Sequence, residues 1–224
     1  MNKYVWMFLI LILIVSFVLL LEKLRKKTLE KLDQILYIEQ NPSLYLELLE
    51  NKHFHWILRK ESIAQLKLNG YLMLNDHKKI EEYFDLLENA YLTKGEKLDY
   101  NTKKLSYYAL HHNQEKAEKA KSEIEKMLKN NTKKQDILEE SELIYKIYIE
   151  HDYGQIKTLK EKLKHQNGLT KGISYFRCAK LYHDHSKDDK AKECLKLAEP
   201  FVKNTIYDSI IKECNLDLNK LKEY

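Results

Sequence analysis

Glycine and proline are the scarcest signals in this sequence: five Gly and two Pro in 224 residues. So few turn formers exclude an all-β chain with many hairpins and favour long helices joined by short polar turns. No two glycines lie within three residues of each other, so no Gly-rich loop is available to cradle a phosphate. Three cysteines (Cys178, Cys194, Cys214) are too few, and odd in number, for a disulfide framework, and no C-x-x-C occurs. That absence excludes a zinc ribbon or a thioredoxin-like motif and fits buried thiols in a reducing compartment. Neither H-E-x-x-H nor G-x-S-x-G is present. The net charge of +5 arises from 39 basic and 34 acidic residues that are interspersed. Without a basic stripe interleaved with aromatics, no nucleic-acid partner is expected.

What is present is helical patterning. A third of the residues are charged, and sixteen Tyr stand against six Phe, which suits helix faces that pack while keeping a polar edge. The run YVWMFLILILIVSFVLLL, Tyr4 to Leu21, has Ser16 as its only small polar residue. Eighteen such residues approach the length needed to cross a hydrocarbon core of ~30 Å. The apolar region of a signal peptide is about 7 to 15 residues and ends in small residues before a cleavage site. Here the run ends Val18-Leu19-Leu20-Leu21-Glu22, so an uncleaved anchor over 1–22 is expected. A basic juxtamembrane helix over 23–40 follows. Its Lys23, Arg25, Lys26 and Lys27 outweigh Lys3, which predicts a single-pass protein of the cell membrane with its large part cytoplasmic. Lys23 to Lys27 are also placed to meet anionic lipid, at about 1 kcal/mol per basic residue. The helical pattern continues through Leu29, Leu32, Ile35, Leu36 and Ile38 and stops at Asn41-Pro42-Ser43.

Beyond Pro42, residues 41–224 alternate amphipathic helices with turns at Asn75-Asp76, His112-Asn113-Gln114, Asp152-Tyr153-Gly154 and Ser186-Lys187-Asp188. Four units begin near Glu61, Leu98, Ile137 and Gly172, spaced by 37, 39 and 35 residues. In the last unit Tyr175, Cys178, Ala179 and Tyr182 share one helix face, and Ala191, Leu195 and Ala198 share the face of the next. Small residues there let two backbones approach closely, so Ala191→Leu is expected to destabilise by ~1–3 kcal/mol. The other units keep Leu68, Tyr71, Ile80 and Phe84; Leu105, Tyr108 and Ala117; and Ile144, Ile147, Ile156 and Leu163. Lys121 and Lys160 fall where the pattern expects apolar residues. The segment Ser43 to Lys60 is expected to cap one end, and Ile206 to Leu221 to form a closing helix.

This pattern resembles the tetratricopeptide repeat, a helix-turn-helix of about 34 residues. The likeness spans Glu61 to Asn204 and is most specific in the last unit, Tyr175 to Ala198. It implies an all-α fold, a right-handed solenoid of helical hairpins in about four degenerate repeats, preceded by one transmembrane helix. It also implies a groove along the first helices that holds a protein or peptide partner. Groove positions by resemblance are Gln65, Asn69, Thr102, Ser106, Ser141, Tyr145, Tyr148, Phe176, Lys180 and His183.

Nine histidines raise the question of a metal. His53 and His55, like His183 and His185, are two apart, which on a helix points them ~200° away from each other. His111, His112, His151 and His185 instead mark the ends of first helices, where an imidazolium interacts favourably with the helix C-terminus. No metal, cofactor or catalytic set is expected, and the chain reads as a non-enzymatic, membrane-anchored scaffold or adaptor. Two alternatives share the fold: an extracytoplasmic chaperone beside the translocon, and a peptide-sensing regulator. The regulators of this fold carry a helix-turn-helix DNA reader that is not apparent here.

Overall fold

The computed structural model describes residues 3–129, 131, 134–203 and 205–224, without the side chains of 3–6, 53 and 206. Asn204, named above as the end of the repeat region, lies outside the described residues, as do the side chains of Lys3, Tyr4, His53 and Ile206. Twelve α-helices and no strand occur among the described residues. The chain divides into two compact units, 1–92 and 93–224.

In the first unit, α1 runs unbroken from Lys3 to Asp33. At ~1.5 Å per residue, 31 residues reach about 46 Å, well beyond a hydrocarbon core. Apart from Ser16, Met7 to Leu21 are exposed apolar side chains, and α1 is the one helix among the described residues long and apolar enough to span a membrane. The helix changes character toward its end. A π-helical turn, Gln34–Ile38, closes with the Asn41 amide donating to the Ile35 carbonyl at 3.0 Å. Leu32, Ile35 and Leu36 are buried with Tyr45 and Leu49. α1 and the turn that follows it are therefore rooted in the first unit's core.

Asn41 caps α2 (Pro42–Leu49) by accepting from the Leu44 amide at 3.0 Å, with Pro42 at the first helical position. α3 (Lys52–Ile57), α4 (Lys60–Leu74) and α5 (His77–Glu88) follow. Gly70 of α4 meets α2 so closely that a Cβ would lie 2.7 Å from Leu46 Cδ2.

The second unit contains three helical hairpins: α6 (Lys94–Leu110) with α7 (Gln114–Leu128), α8 (Gln135–Tyr148) with α9 (Gln155–Leu163), and α10 (Gly168–Asp184) with α11 (Asp188–Val202). Then come α12 (Ile206–Leu216) and a 3-10 turn, Leu218–Lys222. α8 packs on both α6 and α7, and α10 packs on α9 as well as α11. The densely charged α7 is amphipathic, with Ala117, Ala120, Ile124 and Leu128 buried. Pro200 sits inside the last turn of α11, which continues to Val202.

All four turns fall where the sequence places them. Asn75, His112, His151 and Ser186 adopt φ near +50° and reverse the chain. At Asn75, His112 and Ser186 the following amide donates five residues back, to Tyr71, Tyr108 and Tyr182. After α8 the closure is wider: the Asp152 amide reaches back to Lys146. In α10–α11, Ala179, Ala191 and Ala198 are all fully buried. A Cβ on Gly172 would lie 2.6 Å from Val202 Cγ1 and 3.0 Å from Phe201 Cβ, so this seam admits no added methyl without a shift.

Candidate peptide-binding face

In the second unit, α8 and α10 are joined by an ion pair. Arg177 Nη1 donates to Glu140 Oε1 at 2.6 Å, and Lys162 Nζ donates to Glu140 Oε2 at 3.4 Å. Burial would push the Glu140 carboxyl up, but Arg177 and then Lys162 hold it below the usual carboxylate range. Tyr148 is buried beside them, and burial raises its phenol to about 12. The Phe176 ring meets Tyr207 of α12 edge-on, centroids 5.8 Å apart.

Lys180 is fully buried, an unusual position for a lysine. Its ammonium donates to the Leu221 carbonyl at 3.0 Å and lies 3.9 Å from Asp184 Oδ2 and 5.7 Å from the Tyr148 ring centre. Burial lowers its pKa, and Asp184 opposes that shift. Asp184 Oδ2 also lies 2.8 Å from His151 Nδ1, and the His151 ring stacks on His112 at 5.7 Å. His112 Nδ1 lies 3.2 Å from the Tyr148 carbonyl and Nε2 lies 3.1 Å from the Lys222 carbonyl. A neutral ring donates to one of these carbonyls at a time; a protonated ring donates to both. Two successive carbonyls of the C-terminal turn, Leu221 and Lys222, thus lie within hydrogen-bond distance of Lys180 on α10 and of His112 at the end of α6.

Of the positions expected in a groove, Tyr148, Phe176 and Lys180 come together here, all buried. Thr102 Oγ1 and Ser141 Oγ donate four residues back on their own helices, to Leu98 and Ile137. Ser106 is half-buried on α6. Tyr145 faces elsewhere, with Lys121 of α7 5.0 Å above its ring. That lysine, out of pattern in the sequence, bridges Glu142 at 2.6 Å and Glu125 at 3.1 Å. His183 Nδ1 lies 2.8 Å from Asp188 Oδ1, while its buried Nε2 has no partner. Gln65 and Asn69 belong to the first unit, where Asn69 hydrogen-bonds the Tyr45 hydroxyl.

Sequence reasoning missed Glu140, Arg177, Asp184 and the part played by His112 and His151. Only the histidines left a signal, through their recurrence at helix ends. Among the described residues no cluster of His, Cys, Asp or Glu has the arrangement of a metal site. Comparison with protein-family models, with curated proteins and with solved structures found no match.

Proposed function

We propose that this protein is a membrane-anchored adaptor of tetratricopeptide-like hairpins, non-enzymatic, that holds a peptide segment of a partner protein on the face formed by α6, α8 and α10. The observation that carries this reading is the pair of contacts from Lys180 and His112 to the carbonyls of Leu221 and Lys222. Two nitrogens on one face meeting consecutive backbone carbonyls, Lys180 as a donor and His112 as one when Nε2 carries a proton, is how a surface takes hold of a peptide irrespective of its side chains. Phe176 and Tyr148 supply apolar ground beside the donors. A partner segment would take the place of the C-terminal turn.

In this reading α1 fixes the adaptor to the membrane with the repeats on the cytoplasmic side. The basic residues Lys23, Arg25, Lys26 and Lys27 support that side, and Lys23 to Lys27 would lie against anionic lipid. All three cysteines are free thiols, which fits a reducing compartment. Because α1 enters the core through Leu32, Ile35 and Leu36, the first unit would be held close to the bilayer.

The test is photocrosslinking in cells from a reactive residue at Thr102, with the outward, exposed Lys196 of α11 as control. The reading expects a discrete protein captured from Thr102 and lost when Lys180→Met is added, with nothing captured from Lys196. Equal capture from both positions would sink it. A C-terminal reporter active only outside the cell would overturn the cytoplasmic side.

A further inference from the structure

The peptide-binding reading leaves unused a short segment of the first unit, KHFHWILRK, Lys52 to Lys60. It carries Lys52, Arg59 and Lys60 with two histidines and no acidic residue, in a chain whose charges are otherwise interspersed. Most of it is α3, and that helix has two faces. Phe54 packs against the core of Leu32, Ile35 and Leu36, and Leu58 just past the helix is buried. Lys52, His55 and Trp56 share the opposite face at i, i+3 and i+4, and all three are exposed. Trp56 is 90 % exposed, so nearly the whole indole stands clear of the protein.

The position of α3 along the anchor says what faces it. α3 packs against α1, whose side chains are exposed through Lys27 and begin to be covered at Thr28 and Leu29. Thr28 lies two helical turns past Leu21, a rise of about 10 Å. The headgroup layer on each side of a bilayer is about 5–8 Å deep. The run from Tyr4 to Leu21 rises about 27 Å, slightly less than a hydrocarbon core of ~30 Å, so the bilayer reaches at least to the end of that run. A span by α1 thus brings the near side of the first unit to the edge of the headgroups.

We infer that α3 is a second membrane contact, with Trp56 inserted among the lipid headgroups and Lys52 meeting anionic lipid beside it. An indole suits that depth because its ring is apolar and its N–H finds acceptors in the headgroups, which is why tryptophan gathers at membrane interfaces. Lys52 adds to the charge that Lys23, Arg25, Lys26 and Lys27 bring to the same membrane surface. A single span leaves a domain free to turn about the helix axis. A second contact off that axis fixes which side of the first unit faces the bilayer. The inference rests on α1 spanning the membrane and is independent of what the second unit holds.

The experiment reconstitutes the full-length chain in vesicles of phosphatidylcholine and phosphatidylglycerol and reads tryptophan fluorescence. The acyl chains carry bromine either near the headgroup or near the bilayer centre. The chain has two tryptophans, Trp6 in the apolar run and Trp56, so each can be read alone. In Trp6→Phe the emission of Trp56 should shift to the blue and be quenched by shallow bromines, and much less by deep ones. In Trp56→Phe, quenching of Trp6 reports that α1 is inserted. Trp6 quenched with Trp56 unquenched and water-like would overturn the inference while the anchor stands. Neither tryptophan quenched would remove the anchor, and the inference with it. Blue-shifted Trp56 emission that bromine does not quench would place the ring against protein and overturn the lipid contact. With phosphatidylcholine alone, quenching of Trp56 should fall while that of Trp6 holds; equal quenching of Trp56 in both lipids would overturn the part given to Lys52.

Discussion

Two hairpins of the second unit are built from the same pattern and pack differently. α10 and α11 lie against each other far more closely than α8 and α9. At matched positions the first pair has Ala179, Ala191 and Ala198, whereas the second has Ile144, Ile156 and Leu163. Branched side chains between two helices hold their backbones apart, while alanines let ridges settle into grooves. The intermediate hairpins follow this order: α6–α7, with one alanine at Ala117, packs more closely than α4–α5, which has Ile80 there. The turns differ as well. α10 closes through Ser186 with the tight five-residue bond, but α8 closes through His151 one residue wider, and α9 has only nine residues. What α8–α9 lacks in close packing is partly met by ions, since Glu140 joins α8 to both α9 and α10.

If side-chain size sets the approach, exchanging sizes should damage both hairpins. The largest loss is expected for Ile156→Ala, because α8 and α9 cannot close over the space left: about 2–5 kcal/mol by denaturant unfolding in detergent. A loss near zero would mean that α9 shifts freely, and the comparison would fail. Next comes Ala191→Leu, which overfills a seam already shut at Gly172, at ~1–3 kcal/mol. An unchanged midpoint there would show that the seam is not close-packed.

The smallest loss is expected for Glu140→Gln, about 1 kcal/mol, because Glu140 is 41 % exposed and solvent screens the pair. Its pH dependence has a definite sign. The folded carboxyl is held below its unfolded value of about 4.3, so the ion pair stabilises the fold above that value and ceases to as pH falls through the lower, folded value. The gap between wild type and Glu140→Gln should thus stay level near neutrality and narrow in acid. A gap that widens in acid would contradict the assignment.

The helices were legible in the sequence because their signals are local. Apolar periodicity, the turns at Asn75-Asp76 and His112-Asn113-Gln114, and the alanine face of 191–198 each depend on neighbours within a few residues. The seam in α10–α11 could even be read from three alanines. The candidate site was legible only in part. Lys180 and Tyr148 were named, but the partner of Lys180 is a backbone carbonyl 41 residues away, and His112 reaches one 110 residues away. A carbonyl carries no residue identity, so no motif announces it. The lysines at 121 and 160 looked like defects in a repeat because periodicity records only apolarity. Lys121 spans two carboxylates and lies over the Tyr145 ring, and the Lys160 ammonium is 5.8 Å from the Tyr182 ring centre.

The most direct test of the functional account compares partner capture from Thr102 in cells between the wild-type chain and Leu221→Asp. Leu221 is fully buried, so a carboxylate there drives the C-terminal turn off Lys180 and His112 while leaving the rest of the chain in place. If the face holds peptide backbone and the turn competes for it, capture should rise several-fold. Capture that stays level or falls, with helix content intact, would mean that the C-terminal turn is structural and that the face formed by α6, α8 and α10 does not take a partner.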